Sequence, residues 1–420
     1  MLILYNVLHL VAVLLLFPLL CIYIASKAKY RRHLPRRLGL GLKDRISGPG
    51  QVKKTLWIHA LSVGEVTSAL PLLAGLRRRF KDVSIVFSAS TSTGFSLAQK
   101  LASPHCDRVI AFPLDFLPVC RYFLRHIRPD LFILVETDFW PNFLEQLHKR
   151  NIPAVLVNGR ISRSSLSLYR RYPYFFEPMF ATFALVCAQS QNDRRKFLDL
   201  GVKSSKVVTL GNLKYEAAAA PADGGAGRLM TATTAVVLIA GSTHEGEETV
   251  LLEVFCQLKK RYRVKMVIAP RDISRCRQIV DLAHSRGLEV QLRSAGQLFT
   301  EEIYLLDTLG ELAAFYAYGD ICFVGGSLIA GGGHNPLEPA SLGKPVLFGP
   351  DMSDFEEISG ALLACDGAYR VATRDDLLTV LERLIESPEL RRGSGEAAGK
   401  CVSENQGIVD RHIDLIEDLI

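Results

Sequence analysis

With 420 residues, 49% of them hydrophobic and 22% charged, the chain has the material for two ordinary domains with full cores, and its composition is not that of a disordered protein. Its formal charge of +7 is concentrated in Lys27–Arg45, where Lys27, Lys29, Arg31, Arg32, Arg36, Arg37, Lys43 and Arg45 stand against Asp44 alone. The remainder is neutral, which argues against nucleic-acid binding over a broad surface.

In chain order, the first element is the uncharged run Leu2–Ala25, apolar except for Asn6 and His9. About 20 such residues cross a bilayer as a helix. No basic residue precedes the run and no small-x-small site clearly ends it, so residues 1–26 are expected to form a transmembrane anchor rather than a cleaved signal. A helix lying in the interface is the alternative. The positive charge on the C-terminal side places Lys27 onward in the cytoplasm, on the inner membrane, with the single-pass anchor holding the body there. The basic segment Lys27–Arg45, above all Arg31-Arg32 and Arg36-Arg37, is expected to meet an anionic membrane surface.

Short apolar runs then alternate with amphipathic ones. Strands are predicted at Thr55–His59, Ser84–Ser88, Arg108–Phe112, Leu131–Val135, Ala154–Asn158, Leu185–Ala188 and Val207–Leu210, with helices between most of them, such as Thr67–Phe80 and Pro118–Ile127. The small-residue, Pro/Gly-rich stretch 217–227 reads as a linker between a domain at 27–216 and a second at 228–420, with a crossing-back of the last helices as the alternative. The second series of strands is Val236–Ala240, Lys265–Ala269, Leu288–Gln291, Ile303–Leu306, Ile321–Val324 and Val346–Phe348. Thr373–Ile420 is mostly helical, with Asp375–Glu386 amphipathic. Strands alternating with helices predict an α/β fold: two Rossmann-like domains with parallel sheets facing a cleft, ligands at the carboxyl ends of the strands. Neither first strand leads into G-x-G-x-x-G, which disfavours a nicotinamide dehydrogenase. The nine cysteines are scattered with no C-x-x-C pair, as in a reducing compartment, and no H-x-x-x-H or clustered acidic set calls for a metal.

Several strand ends carry residues suited to chemistry. Glu65 follows the first strand, though Ser62 and Glu65 also have the spacing of a capping box. Glu136 and Asp138 come directly after a buried strand, where carboxylates are costly unless paired or used. Lys214 lies just past another strand end, and Arg271 follows the strand Lys265–Ala269, where a guanidinium takes a phosphate with a bidentate fork. The most distinctive segment is Gly325-Gly326-Ser327-Leu328-Ile329-Ala330-Gly331-Gly332-Gly333-His334-Asn335-Pro336-Leu337-Glu338-Pro339. Glycines between a strand and a helix suit a phosphate or nucleotide cradle. A tight turn and a capped helix, with Asn335 as N-cap, Pro336 at the first helical position and Glu338 at the third, would give the same pattern.

Taken in order, Trp57–Glu65, Ser90–Phe95, Val135–Asn142, Asn158–Ser162, Gly211–Lys214, Ala240–Glu247, Ala269–Arg271, Asp307–Leu312 and Gly325–Pro350 resemble the 3-deoxy-D-manno-oct-2-ulosonic acid (Kdo) transferases. The resemblance spans nearly the whole chain. It implies a two-domain GT-B glycosyltransferase that needs no metal or other cofactor and moves Kdo from CMP-Kdo to a lipid A precursor. By the family pattern Glu65 is the general base, and Glu136 and Lys214 support the transition state. Pro270 and Arg271, Gly310, Glu311 and Leu312, and Asn335, Pro336, Leu337 and Glu338 match the segments that hold CMP. Asp138, Asp272 and Asp354 depart from the residues common in the family, and Asp272, an acid beside Arg271, would repel the donor unless it points away. Other readings are a membrane-surface GT-B transferase using a UDP-sugar and a lipid-linked acceptor, and a non-catalytic scaffold that has kept the fold.

Overall fold

The computed structural model describes residues 2–26, 28–42, 54–217, 234–296 and 299–420. Lys27, Lys43, Asp44 and Arg45 of the basic segment, and 218–227 of the expected linker, lie outside the described residues. The chain divides into two compact units, one of Met1–Ala217 with Gly407–Ile420 and one of Ala218–Gln406.

The first unit holds a seven-stranded parallel sheet of β1 (Lys54–Ala60), β2 (Val83–Ala89), β3 (Arg108–Ala111), β4 (Leu131–Val135), β5 (Ala154–Gly159), β6 (Phe183–Ala188) and β7 (Val207–Thr209). Its order is β3-β2-β1-β4-β5-β6-β7. The direction of winding reverses between β1 and β4, so the crevice at their carboxyl ends is the switch point at which ligands bind in doubly wound sheets. The strands are continuous apolar runs because both faces are covered. Trp57 of β1 is fully buried, in edge contact with Phe143 at 5.0 Å and with Phe132 at 5.7 Å between ring centroids. Burying each such ring contributes roughly 1.5–3 kcal/mol.

The helix Val63–Arg79 buries Val66, Ala69, Leu72, Leu73 and Leu76, a helical stripe against the sheet. Its Gly75 admits the last helix, Ile408–Glu417, into the same unit. A Cβ at Gly75 would lie 2.6 Å from Ile413 Cδ1 and 2.9 Å from Val409 Cγ1. The Ile408 N–H is capped by Glu216 Oε1 at 2.7 Å, and Arg79 pairs with Glu417 at 2.5 Å.

The N-terminal apolar run forms one helix, Leu2–Ser26. Among the described residues, no helix combines the length and apolarity needed to cross a membrane, so the expected transmembrane helix is not found. The polar positions in its first turns are engaged by the body instead. Tyr5 Oη donates to Asp115 Oδ2 at 3.1 Å, and the amides of Asn6 and Asn142 exchange two hydrogen bonds of 2.8 Å. His9 meets the Phe116 ring at 4.7 Å. The opposite side leaves Ile3, Leu8 and Leu15 exposed.

The second unit repeats the design with β8 (Val236–Thr243), β9 (Val264–Pro270), β10 (Val290–Leu292), β11 (Ile303–Leu305), β12 (Ile321–Val324), β13 (Val346–Phe348) and β14 (Ala368–Arg370). The order is β10-β11-β9-β8-β12-β13-β14, all parallel, with its switch point between β8 and β12.

Candidate functional site

In both units the loops at the switch points carry the unusual chemistry. Among the described residues, seven non-glycine residues adopt positive φ. Arg128, Asn151 and Asp366 do so at helix ends, whereas Glu136 (61°), Asp138 (82°), Asn158 (55°) and Ser242 (54°) sit at the carboxyl ends of β4, β5 and β8. Such conformations cost on the order of 1–3 kcal/mol each and mark places where the surrounding structure enforces a geometry.

Glu65 opens the helix after β1 and is 6% exposed. The capping-box alternative is not what forms: the Ser62 side chain makes no cap bond, and Glu65 Oε2 reaches back to the Leu61 N–H at 2.5 Å. Thr137 Oγ1 donates to its other oxygen at 3.3 Å. Burial, and then the neighbouring charge of Glu136, push the Glu65 carboxyl up to about 8, against the pull of the Leu61 N–H. This carboxyl therefore takes up and releases a proton near neutrality.

Glu136 is buried and held at every oxygen. Oε1 accepts from Asn158 Nδ2 at 3.1 Å and from Ser68 Oγ at 3.3 Å, and Arg160 Nε lies 3.3 Å from Oε2. Asn158 extends the network: its Oδ1 accepts from the Leu213 N–H at 2.9 Å, and its carbonyl accepts from Gln189 Nε2 at 2.9 Å. Gln189 in turn takes a bond from Asn212 Nδ2, and Asn212 Oδ1 takes the N–H of Lys214, both at 3.1 Å. A continuous chain of buried amides thus ties the backbone of Lys214 to Glu136. Sequence reasoning placed Asn158 in a strand and passed over Gln189 and Asn212 as positioning groups. The only available signal was an amide at the end of an otherwise apolar strand.

In the second unit the glycine segment behaves differently from a bare anion cradle. Glu247 is 1% exposed, and its carboxylate takes the N–H groups of His244 (2.9 Å), Gly326 (2.8 Å), Ser327 (3.0 Å) and Leu328 (3.0 Å). The amides that would have cradled a ligand anion at the start of the block are thus occupied by the protein's own carboxylate. Further along, the Gly332 N–H goes to Asp351 and the Gly333 N–H to the Gly326 carbonyl. Gly325 is needed for this closeness, since a Cβ there would sit 2.5 Å from the Ser242 carbonyl oxygen. The block ends in the short helix Leu337–Ser341, whose N-cap is Pro336 rather than Asn335; Asn335, one residue earlier, still accepts from the Leu337 N–H through Oδ1 at 3.1 Å. Glu338 does not complete a box. It hydrogen-bonds the Asn335 side chain, and burial raises its carboxyl while Asn335 and the charge of Arg271 oppose the rise.

Arg271 directly follows β9 and is exposed; among the described residues its guanidinium forms no ion pair. Asp272 is engaged locally, its Oδ1 capping the turn Ile273–Arg275 through the Ser274 N–H at 3.0 Å. The Asp354 N–H bonds the Gly332 carbonyl at 3.0 Å. His334 stacks on His244 at 5.1 Å; burial first, then the charges of Arg271 and His244, push it down to about 4, so the ring is neutral. Its Nε2 is buried without a hydrogen-bond partner among the described residues. Gly310 (φ 86°) and Glu311 precede the helix Leu312–Tyr316, with Glu311 paired to Arg293 at 2.7 Å. Arg271, His334, Asn335 and Glu338 thus form one electrostatic group, while Glu65, Glu136 and the backbone of Lys214 form another in the first unit.

Residues 32–217 match the family model described as 3-deoxy-D-manno-octulosonic-acid transferase (kdotransferase). The chain is 32% identical to the 3-deoxy-D-manno-octulosonic acid transferase of Haemophilus influenzae, over 93% of this chain and 92% of that one. It is 28% identical to the enzyme of the same name from Chlamydophila psittaci, over 91% and 88%. Among solved structures, the UDP-GlcNAc 2-epimerase of Neisseria meningitidis superposes with a TM-score of 0.59 over 84% of this chain and 99% of that one, at 16% identity, a likeness of fold.

Proposed function

Since the chain belongs to the 3-deoxy-D-manno-octulosonic acid (Kdo) transferases, and is therefore a glycosyltransferase, we propose that it moves Kdo from CMP-Kdo to a hydroxyl of a lipid A precursor, with Glu65 as general base. The observation that carries this reading is the Glu65 carboxyl itself: buried at a switch point, raised to about 8, and with no cation paired to it among the described residues. The acceptor hydroxyl gives its proton to Glu65 as its oxygen attacks the anomeric carbon, and the bond to CMP breaks with its electrons leaving on the phosphate, so the configuration inverts. A positioned base contributes roughly 10²–10⁴ in rate. Lys214 and Glu136 support the charge that develops on the sugar and leaving group. Arg271, with no ion pair among the described residues and beside Pro270, takes the phosphate; Glu338 and Asn335 accept from the ribose, and Gly310–Leu312 line the nucleotide. No metal enters the scheme, the cationic work falling to Lys214 and Arg271.

We also place the protein at the cytoplasmic face of the inner membrane, with the helix Leu2–Ser26 lying in the interface rather than crossing it. Its docked Tyr5 and Asn6 and its exposed Ile3, Leu8 and Leu15 favour that orientation, and Arg31 and Arg36 follow it in the chain toward anionic headgroups. The test is incubation of the purified protein with CMP-Kdo, generated in place, and a lipid A precursor, followed by mass measurement of the product. A mass increase of one or more Kdo residues with wild type and none with Glu65→Gln is expected. Transfer by Glu65→Gln at the wild-type rate would falsify the base assignment. Thermal stabilisation by UDP and not by CMP would transfer the reading to a UDP-sugar enzyme.

A further inference from the structure

Two buried groups beside Glu65 have no part in the scheme above. His59 is fully buried in β1, its ring stacked on Phe112 with 3.7 Å between centroids. Its protons follow from its neighbours. Nδ1 lies 3.1 Å from the Ser88 carbonyl oxygen and 3.0 Å from the Ser88 hydroxyl. The carbonyl only accepts. The hydroxyl accepts from Trp57 Nε1 at 2.8 Å and gives its own proton to the Ile58 carbonyl at 3.2 Å. Nδ1 therefore carries a hydrogen. On the other side, Nε2 lies 2.7 Å from Asp138 Oδ2, an oxygen to which the Ser90 hydroxyl already donates at 2.9 Å. A bare ring nitrogen and a carboxylate oxygen repel at that distance, so a proton lies between them.

We propose that His59 is held as an imidazolium by Asp138, and that this buried ion pair is a positioning device for Glu65. The connection runs through the loop after β4. Glu136 and Asp138 both have positive φ, and Thr137 between them donates to Glu65 Oε1 at 3.3 Å. Anchoring Asp138 to β1 through His59 holds that reversed loop, and with it Thr137, against the base. The charges agree. Glu65 from the helix Val63–Arg79 and Glu136 and Asp138 from the loop are three neighbouring carboxylates. Arg160 lies on Glu136, and Arg37, from the helix Ala28–Arg37, acts on Asp138 together with His59. A neutral imidazole would leave one more uncompensated negative charge beside Glu65. Burial opposes ionisation of Asp138, yet the hydrogen bond and charge of His59 bring its carboxyl below the usual value.

The effect on transfer rests on Glu65 being the base; the protonation of His59 does not. The test is nitrogen–proton correlation on the full chain with isotope-labelled histidine at about pH 7.5. The expected result is one ring with both nitrogens protonated, a signal lost in His59→Gln. A neutral ring at His59 overturns the proposal. If His59→Gln does not fold, Asp138→Asn serves: His59 should then become neutral, and an unchanged imidazolium overturns the pairing. In transfer assays, His59→Gln should move the acidic limb of the pH–rate profile up by at least about 0.5 pH unit, and Asp138→Asn should not raise it. A lowered rate with an unmoved limb in His59→Gln means a merely structural histidine and overturns the positioning role. The two readings fail separately. Full activity in Glu65→Gln removes the base and leaves the His59 signal, whereas a neutral His59 with inactive Glu65→Gln removes only the ion pair.

Discussion

Replacing Glu65 by Gln should abolish transfer and at the same time stabilise the fold, with a pH dependence whose sign is set by burial. The Glu65 carboxyl titrates near 8 in the folded protein against 4.5 for the free group, because burial and Glu136 disfavour its charged form. The folded state therefore holds the proton more tightly than the unfolded chain. Below about pH 4.5 both states are protonated and the full stability is present; it is lost as pH rises toward 8 and stays lost above. At about 1.36 kcal/mol per pH unit the ceiling of this loss is roughly 5 kcal/mol. Local relaxation and water entry reduce it, and we expect ~1–3 kcal/mol. Glu65→Gln has no charge to bury and escapes the loss. Both tryptophans of the chain, Trp57 and Trp140, lie in the first unit, so their fluorescence reports its melting selectively. At roughly 2–4 °C per kcal/mol, the variant should melt about 3–8 °C above wild type at pH 8.5 and within about 1 °C of it at pH 4. Equal melting temperatures at both pH values would refute the argument that burial and Glu136 disfavour the charged form of Glu65. The same titration predicts that the wild-type rate climbs with pH up to about 8, where the base becomes ionised.

Four further outcomes follow from particular contacts. Glu247→Gln retains one acceptor oxygen for four N–H groups, and should speed amide exchange at Gly326–Leu328 and destabilise the second unit by ~2–4 kcal/mol, measured by hydrogen exchange and denaturant melts. Arg271→Ala should weaken CMP binding about 10–100-fold by calorimetry, with Arg271→Lys between it and wild type, since a lysine cannot make the bidentate fork. Gly75→Ala should destabilise the first unit by ~1–3 kcal/mol in tryptophan-monitored unfolding, because the methyl would collide with Val409 and Ile413. Tyr5→Phe with Asn6→Leu should raise hydrogen exchange across Leu2–Ser26 without changing the melting of β1 or its neighbours; unchanged exchange would mean that those two polar ties do not hold the helix.

Much of the architecture was legible from local pattern. Every strand of both sheets except β14 overlaps a strand predicted from the sequence, and all but the edge strand β10, which buries Gln291, follow apolar runs, because strands covered on both faces must be largely apolar. β14 escaped because it is short and buries only Ala368. Glu65, Glu136, Lys214 and Arg271 stood out because each follows a strand end, a position that local sequence reveals. Their partners did not stand out. Nothing near Glu247 marks it as the occupant of the glycine loop, since Glu245-Gly246-Glu247-Glu248 reads as a solvated helix start and the amides it binds lie some eighty residues away. The same holds for His59 with Asp138, and for the amide chain from Asn158 to Asn212, whose bonds join different strands. The N-terminal helix shows the opposite case: composition made it look like a free anchor, and Asp115 and Asn142, far along the chain, hold its polar side to the body. Periodicity and turn chemistry are local and can be read in one dimension, so the sequence alone determined the order of elements and the residues at their ends. Hydrogen bonding and charge compensation act through space between segments distant in sequence, so only the tertiary structure decided which carboxylate is buried without a cation paired to it among the described residues and which ones hold the loops in place.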